Sequence, residues 1–401
     1  MLFDSWYDTI AFCPYLYDNR TVIFLLHCPV MEAVPAPFWF VQFFKVVGFV
    51  LHMIPMGIWF AGLPIVILCA LWNCERSRFY ARRMSKQLPV IMALGINFGI
   101  VPLLFLQTTY YKSFYTATIL TAWYWIAVIP ILIVGYYSLY IAAYSGERRG
   151  RMILFSLLAS LCLICIGILN TNGLTLMVSS TQQWSKMASQ TGYYGAVLGT
   201  ANNFSAPVMW MRFVTMFGLG LITAGVWAAF DAHFLMRSNA PDVPENYRQW
   251  TTTLALLMTF IGAAILTSTE YVVKTGADPA TQIYPASSTV YPYFGTVLFS
   301  SLMTFMVLLM AKVQAITLKA GSALLVAIAA VLQFLTLAVF GALRQEGQNN
   351  GIVAFQGTSV STLPEAVQWD TLIAFVVIFL LGVGVIVWMV AQCVKCMGER
   401  K

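Results

Sequence analysis

The chain has 401 residues, 60% of them hydrophobic and 9% charged, with a formal net charge of +7. A soluble domain carries about 25% charged residues, so this composition excludes a soluble enzyme. The positive balance calls for no nucleic acid, because basic loops facing anionic lipid account for it.

In chain order, residues 1–36 hold no signal-peptide pattern: Asp4 and Asp8 come early and no basic stretch opens the chain. The segment reads as an amphipathic arm on the outer face, with Trp6, Tyr7, Tyr15 and Tyr17 at headgroup level. From 37 to 395 the apolar residues gather into blocks long enough to cross a hydrocarbon core of about 30 Å. Within that core backbone polar groups must be satisfied inside each segment, so the blocks are helices. Nine spans are predicted, at 37–72, 88–108, 118–142, 152–178, 211–235, 250–268, 291–313, 320–342 and 371–394. The first exceeds one straight crossing, and Pro55 and Pro64 predict a kink there. Residues 396–401 form a short tail. The fold class is all-α, a polytopic transmembrane helix bundle of about nine helices.

Lys and Arg set the orientation. The loops at 73–87, 143–151 and 236–249, the turn at 314–319 with its adjoining helix end, and the tail with Lys395 before it hold 15 of the 22 basic residues. With nine spans they all fall on one side. The positive-inside rule then places the N-terminus outside and the C-terminus in the cytoplasm. The expected location is a bacterial inner membrane, with lipid as the surrounding partner.

The polar residues narrow the chemistry. No Cys-x-x-Cys-His occurs, so covalent c-type haem is not expected. Cys162 and Cys165 read as helix packing. Cys393 and Cys396 lack further ligands nearby and suit acylation or burial, and Cys13 with Cys28 offers an outer disulfide. Of the three histidines, His27 and His233 sit outside or at a helix end. His52 lies within the first span, where a polar ring is either a cofactor ligand or a bond to a neighbouring helix backbone. No acid stands mid-span: none occurs between Glu75 and Glu147, between Glu147 and Asp231, or between Asp278 and Glu346. Membrane proton pumps relay protons through such carboxylates, so that class is disfavoured.

The order of motifs resembles subunit I of cytochrome bd-type quinol oxidases along most of the chain. The carriers are His52 followed by Pro55 and Gly57, the run Gly95-Ile96-Asn97-Phe98-Gly99 continuing to Phe105-Leu106-Gln107, Asn172-Gly173, Arg212-Phe213-Val214, and Arg344-Gln345. The resemblance implies nine helices, an outside N-terminus, and His52 as a candidate ligand of one b-type haem. It also implies a quinone site near the outer face involving Glu270, Lys274 and Arg344. The departures are as telling. Leu104 stands near a family glutamate, Thr215 stands where a haem-ligating histidine would be, and residues 322–342 lack the family's glutamate. Met303 or Met306 matches the family's methionine ligand.

The reading that follows is a membrane subunit of a respiratory electron-transfer complex, poor in haem, binding quinone and anchoring other subunits. A multihaem or other cytochrome on the outer face is the expected partner. The long outer loops at 179–210, 269–290 and 343–370 suit such docking. A non-redox transporter or membrane scaffold is the alternative, and a functional terminal oxidase is disfavoured.

Overall fold

The structure is a computed structural model that describes residues 34–146, 148–193, 196–236, 243–275, 290–317, 319–357, 359, 361 and 363–399. The expected arm therefore lies outside the described residues up to residue 33, as does the Cys13–Cys28 pairing. The side chains of Cys393 and Cys396 lie outside them too.

The helices are α1 (Phe38–Phe60), α2 (Gly62–Leu71), α3 (Glu75–Thr109), α4 (Tyr111–Leu120), α5 (Ala122–Ala143), α6 (Arg149–Met177) and α7 (Thr181–Thr191). After them come α8 (Pro207–Phe230), α9 (Tyr247–Thr275), α10 (Val290–Thr317), α11 (Lys319–Gln356) and α12 (Trp369–Glu399). A π-helical turn, Asp231–Leu235, prolongs α8. Among the described residues eight helical stretches are long and apolar enough to cross a membrane. A ninth apolar stretch, Trp369–Val385, opens α12.

The first span runs Phe38–Leu71 and breaks at Ala61, between α1 and α2. Pro64 explains the place of the break: it has no N–H to give the Phe60 carbonyl, so the helix stops and restarts with Pro64 in the first turn of α2. Pro55 stays inside α1.

Several stretches expected as loops are helical. Helix α3 begins at Glu75, so Arg76, Arg78, Arg82 and Arg83 stand on its first turns. Helix α11 continues to Gln356, far beyond the expected end at 342, which leaves a much shorter connection to α12. The 179–210 segment contains α7 and a two-residue hairpin pairing Gly192–Tyr193 with Ala196–Val197.

Lipid offers helices no hydrophobic reason to associate, so close packing and polar contacts must hold them. Helices α8 and α9 meet backbone to backbone: a Cβ added to Gly262 would lie 2.5 Å from the Gly218 carbonyl oxygen. Serines and threonines inside the helices return their hydroxyls to the carbonyl one turn back, as Thr223 does to Leu219 O at 2.9 Å. Asn172, fully buried, fastens the end of α6 by accepting from Asn203 N at 2.7 Å and donating to Ala201 O at 3.2 Å. The segment before α12 closes on the start of the bundle: Val34 N donates to Pro364 O at 2.8 Å, and Glu365 Oε1 accepts from Phe38 N at 2.8 Å.

Candidate functional site

The bundle end where α1 begins and α11 finishes carries a polar cluster. Lys45 of α1 is 6% exposed. Its ammonium donates to the Tyr110 hydroxyl at 2.7 Å and lies 4.0 Å from the ring centroid. Tyr110 in turn donates to Asn349 Oδ1 of α11 at 2.6 Å. Burial pushes the Tyr110 pKa up, Arg344 nearby opposes the shift and Glu346 adds to it, so the hydroxyl stays protonated. Among the described residues Lys45 has no carboxylate partner, and two of its three N–H donors are unused.

Unpaired amides lie alongside. Neither the oxygen nor the nitrogen of the Gln42 amide has a partner, and Gln345 Oε1 has none. Helical register puts both towards the end of the bundle where α1 begins. A Cβ at Gly341 would lie 2.9 Å from Phe49 Cδ1 and 3.5 Å from Val46 Cγ1, while Ile54 and Ile58 line one cavity with Phe334 and Leu337, so α1 and α11 run antiparallel. One turn towards the bundle end from those contacts come Gln42 on α1 and Gln345 on α11. Arg344 sets its guanidinium 5.4 Å from the Phe49 ring centroid. A ligand with two carbonyl oxygens would find ammonium and amide donors here, in surroundings dry enough to strengthen each bond.

His52 sits two turns further into α1. Its Nδ1 bonds Gly95 O of α3 at 2.8 Å, and a Cβ at Gly99 would lie 2.9 Å from His52 Cε1 and Nδ1. Gly95 similarly makes room for the Trp59 indole, whose Nε1 would be 2.9 Å from an added Cβ. The glycines of the 95–99 run therefore let two large rings of α1 lie flat on α3. With the carbonyl accepting from Nδ1–H, Nε2 is the ring atom left free to act as a ligand.

Thr215 stands where the bd resemblance implies a haem-ligating histidine, Met303 or Met306 where it implies a methionine, and Leu104 near a family glutamate. Thr215 is 5% exposed and donates to Met211 O at 2.8 Å, one turn before the close glycine contact of α8 with α9. Leu104 is 50% exposed and Met306 42%, both on the outside of the bundle, whereas Met303 is half-buried. Among the described residues no three His, Cys, Asp or Glu side chains gather into a metal-binding group.

At the opposite end of the bundle Asp231, 2% exposed, receives Arg83 Nε and Nη2 at 2.5 and 2.8 Å and Gln87 Nε2 at 2.7 Å. The Trp227 indole donates to Gln87 Oε1 at 3.1 Å. His233 bonds Ala229 O within its own helix at 2.9 Å.

Of the residues expected to form a quinone site, Arg344 belongs to the Lys45 end of the bundle. The side chains of Glu270 and Lys274 lie outside the described residues. Sequence reasoning missed Lys45, Tyr110, Asn349 and Gln42. One signal was available: Lys45 is the only charged residue between Phe38 and Leu71.

The chain is thus a multi-pass helical membrane protein with a buried lysine at one end and a buried carboxylate paired with arginine at the other. No protein-family profile matches it, and no curated protein matches it in sequence.

Proposed function

We propose that this chain is the membrane subunit of a respiratory electron-transfer complex, built like subunit I of the cytochrome bd-type oxidases, and that it binds a quinone beneath the outer face of a bacterial inner membrane. The observation that carries the reading is Lys45, a buried ammonium bonded to Tyr110, which is itself bonded to Asn349, with two unused donors and no carboxylate partner among the described residues. A quinone presents two carbonyl oxygens on an apolar ring and needs few polar groups to orient it. Lys45 would donate to one oxygen and the Gln42 amide to the other, and Arg344 would favour the charge that develops on reduction. In the orientation set by the basic loops, this end faces outward. There a cytochrome or other redox subunit would dock, with Glu270 and Lys274 on the last turns of α9, which runs past the loop start expected at 269. His52 is assigned to joining α1 and α3.

Binding of a short-tailed quinone to the chain in lipid nanodiscs tests the reading. Lys45→Met should weaken it about tenfold, the loss of one charge-assisted hydrogen bond. Unchanged affinity would remove this site.

A further inference from the structure

A second feature lies deeper in the bundle. Between α1, α8 and α11 a cavity of about 180 Å³ is walled by Ile54, Ile58, Val226, Phe230, Phe334 and Leu337. Phe334 is 48% exposed on the bundle surface, so this wall borders lipid. Two other polar side chains, Gln333 and Thr223, reach the cavity, and the Trp227 indole N–H is committed to Gln87.

The hydrogen bonds fix what these groups offer. The Thr223 hydroxyl proton goes to Leu219 O, so its oxygen can only accept. It accepts from Gln333 Nε2 at 2.9 Å, which orients the amide. Gln333 Oε1 is left over: it has no partner, and the residue is 3% exposed. An unpaired acceptor in a membrane interior is costly. Water is a poor remedy, because a buried water needs two to four polar partners and cavities lined by apolar groups stay dry. The missing partner must therefore bring an O–H or N–H on an apolar body. A cavity of about 150 Å³ accommodates benzene, so the space suits one substituted aromatic ring with a tail trailing into lipid.

We propose that this groove binds the hydroxyl-bearing ring of a membrane-soluble hydroquinone, with one O–H donating to Gln333 Oε1, and that it rejects the oxidised quinone, which has no proton to give. The choice of a hydroquinone rests on the quinone reading above. The requirement for a donor rests on the groove alone, which shares no residue with the Lys45 cluster.

The test is calorimetric titration of the full chain in nanodiscs, with empty nanodiscs subtracted, under anaerobic conditions. The probes are decyl-1,4-benzohydroquinone, its oxidised quinone, 4-decylphenol and the phenol's methyl ether. The reduced ring should bind at least about tenfold more tightly than the quinone, and the phenol more tightly than its ether, because each disfavoured partner leaves a buried acceptor unpaired. Gln333→Met, of similar length but lacking the acceptor, should bring each pair within about twofold, with the thermal transition of the bundle retained. Ala330→Phe, at the groove wall, should abolish binding of all four. Equal affinity for the phenol and its ether, or a preference that survives Gln333→Met, overturns the proposal. If Lys45→Met removes the preference and Gln333→Met does not, the groove is rejected and the outer-face site stands. If the phenol pair is distinguished and the quinone pair is not, the donor rule holds and the hydroquinone assignment is rejected.

Discussion

Arg83 and Asp231 join the start of α3 to the π-helical end of α8 through two parallel hydrogen bonds, Nε to Oδ2 and Nη2 to Oδ1. The carboxylate is 3% exposed and the guanidinium side chain 25%, so the cation keeps some contact with water while the anion has none. Removing one partner of such a pair strands the other. Arg83→Ala should cost about 3 kcal/mol, at the lower end of the range for buried pairs because Gln87 still bonds Asp231. Asp231→Asn should cost less, since an amide needs no counter-charge. Chemical unfolding of the two variants in detergent checks the order, and equal losses would show the charge to be irrelevant.

The Lys45–Tyr110–Asn349 chain makes a different prediction, one of coupling. Tyr110→Phe leaves both the ammonium and Asn349 Oδ1 without their partner and should destabilise the bundle by about 2 kcal/mol. Lys45→Met removes the buried charge, and in that background the tyrosine change should cost clearly less. A double-mutant cycle measures the difference, and strict additivity would mean that the two residues do not interact.

At the α8–α9 contact a single methyl is enough to read the packing. Gly262→Ala places its Cβ against the Gly218 carbonyl and should cost about 3 kcal/mol or more, because backbone cannot step aside as a side chain can. Gly382→Ala, with nothing within 4 Å, should change stability by less than about 0.5 kcal/mol and serves as the comparison.

For His52 the expected result is mechanical. His52→Ala should lower the melting temperature through the lost bond to Gly95 and the space left against Gly99, with no change in visible absorption. A b-type Soret band in the unaltered protein that disappears on this substitution would instead assign Nε2 to iron.

The orientation is tested from outside intact cells with a membrane-impermeant maleimide. A cysteine introduced at Ser361, exposed before α12, should react. One at Asn73, between α2 and α3, should not, both variants being made in a chain whose Cys13, Cys28 and Cys74 are changed to serine. The reverse pattern would invert the membrane assignment and place the Lys45 cluster on the cytoplasmic side.

How far the sequence speaks depends on the range of the interaction. Long apolar blocks announce spans directly, because the membrane imposes a length that one segment must meet alone, and the crossings stand where those blocks lie. Helix ends are less legible. Arg83 and Arg344 look like loop charges, yet both stand on helices that continue past the apolar block, where charges can reach water or polar partners without ending the helix. The candidate site is the least legible. Lys45 finds Tyr110 at a separation of 65 residues, and Tyr110 finds Asn349 at 239, so no spacing motif can join them. The Gly95–Gly99 run was visible as a motif, but its use as a seat for the His52 and Trp59 rings appears only when α1 lies against α3.

The bond between Phe38 N and Glu365 spans 327 positions, and its consequence is one of timing. The first span leaves the ribosome and enters the bilayer long before residue 365 exists. Until then the leading amides of α1 have no side-chain cap and must rely on headgroups or water. The bundle can be latched at this corner only once the loop before α12 has been made. A nascent chain halted just before Pro364 should insert its earlier helices and yet leave the start of α1 open to protease, and synthesis of the few residues that include Glu365 should close it.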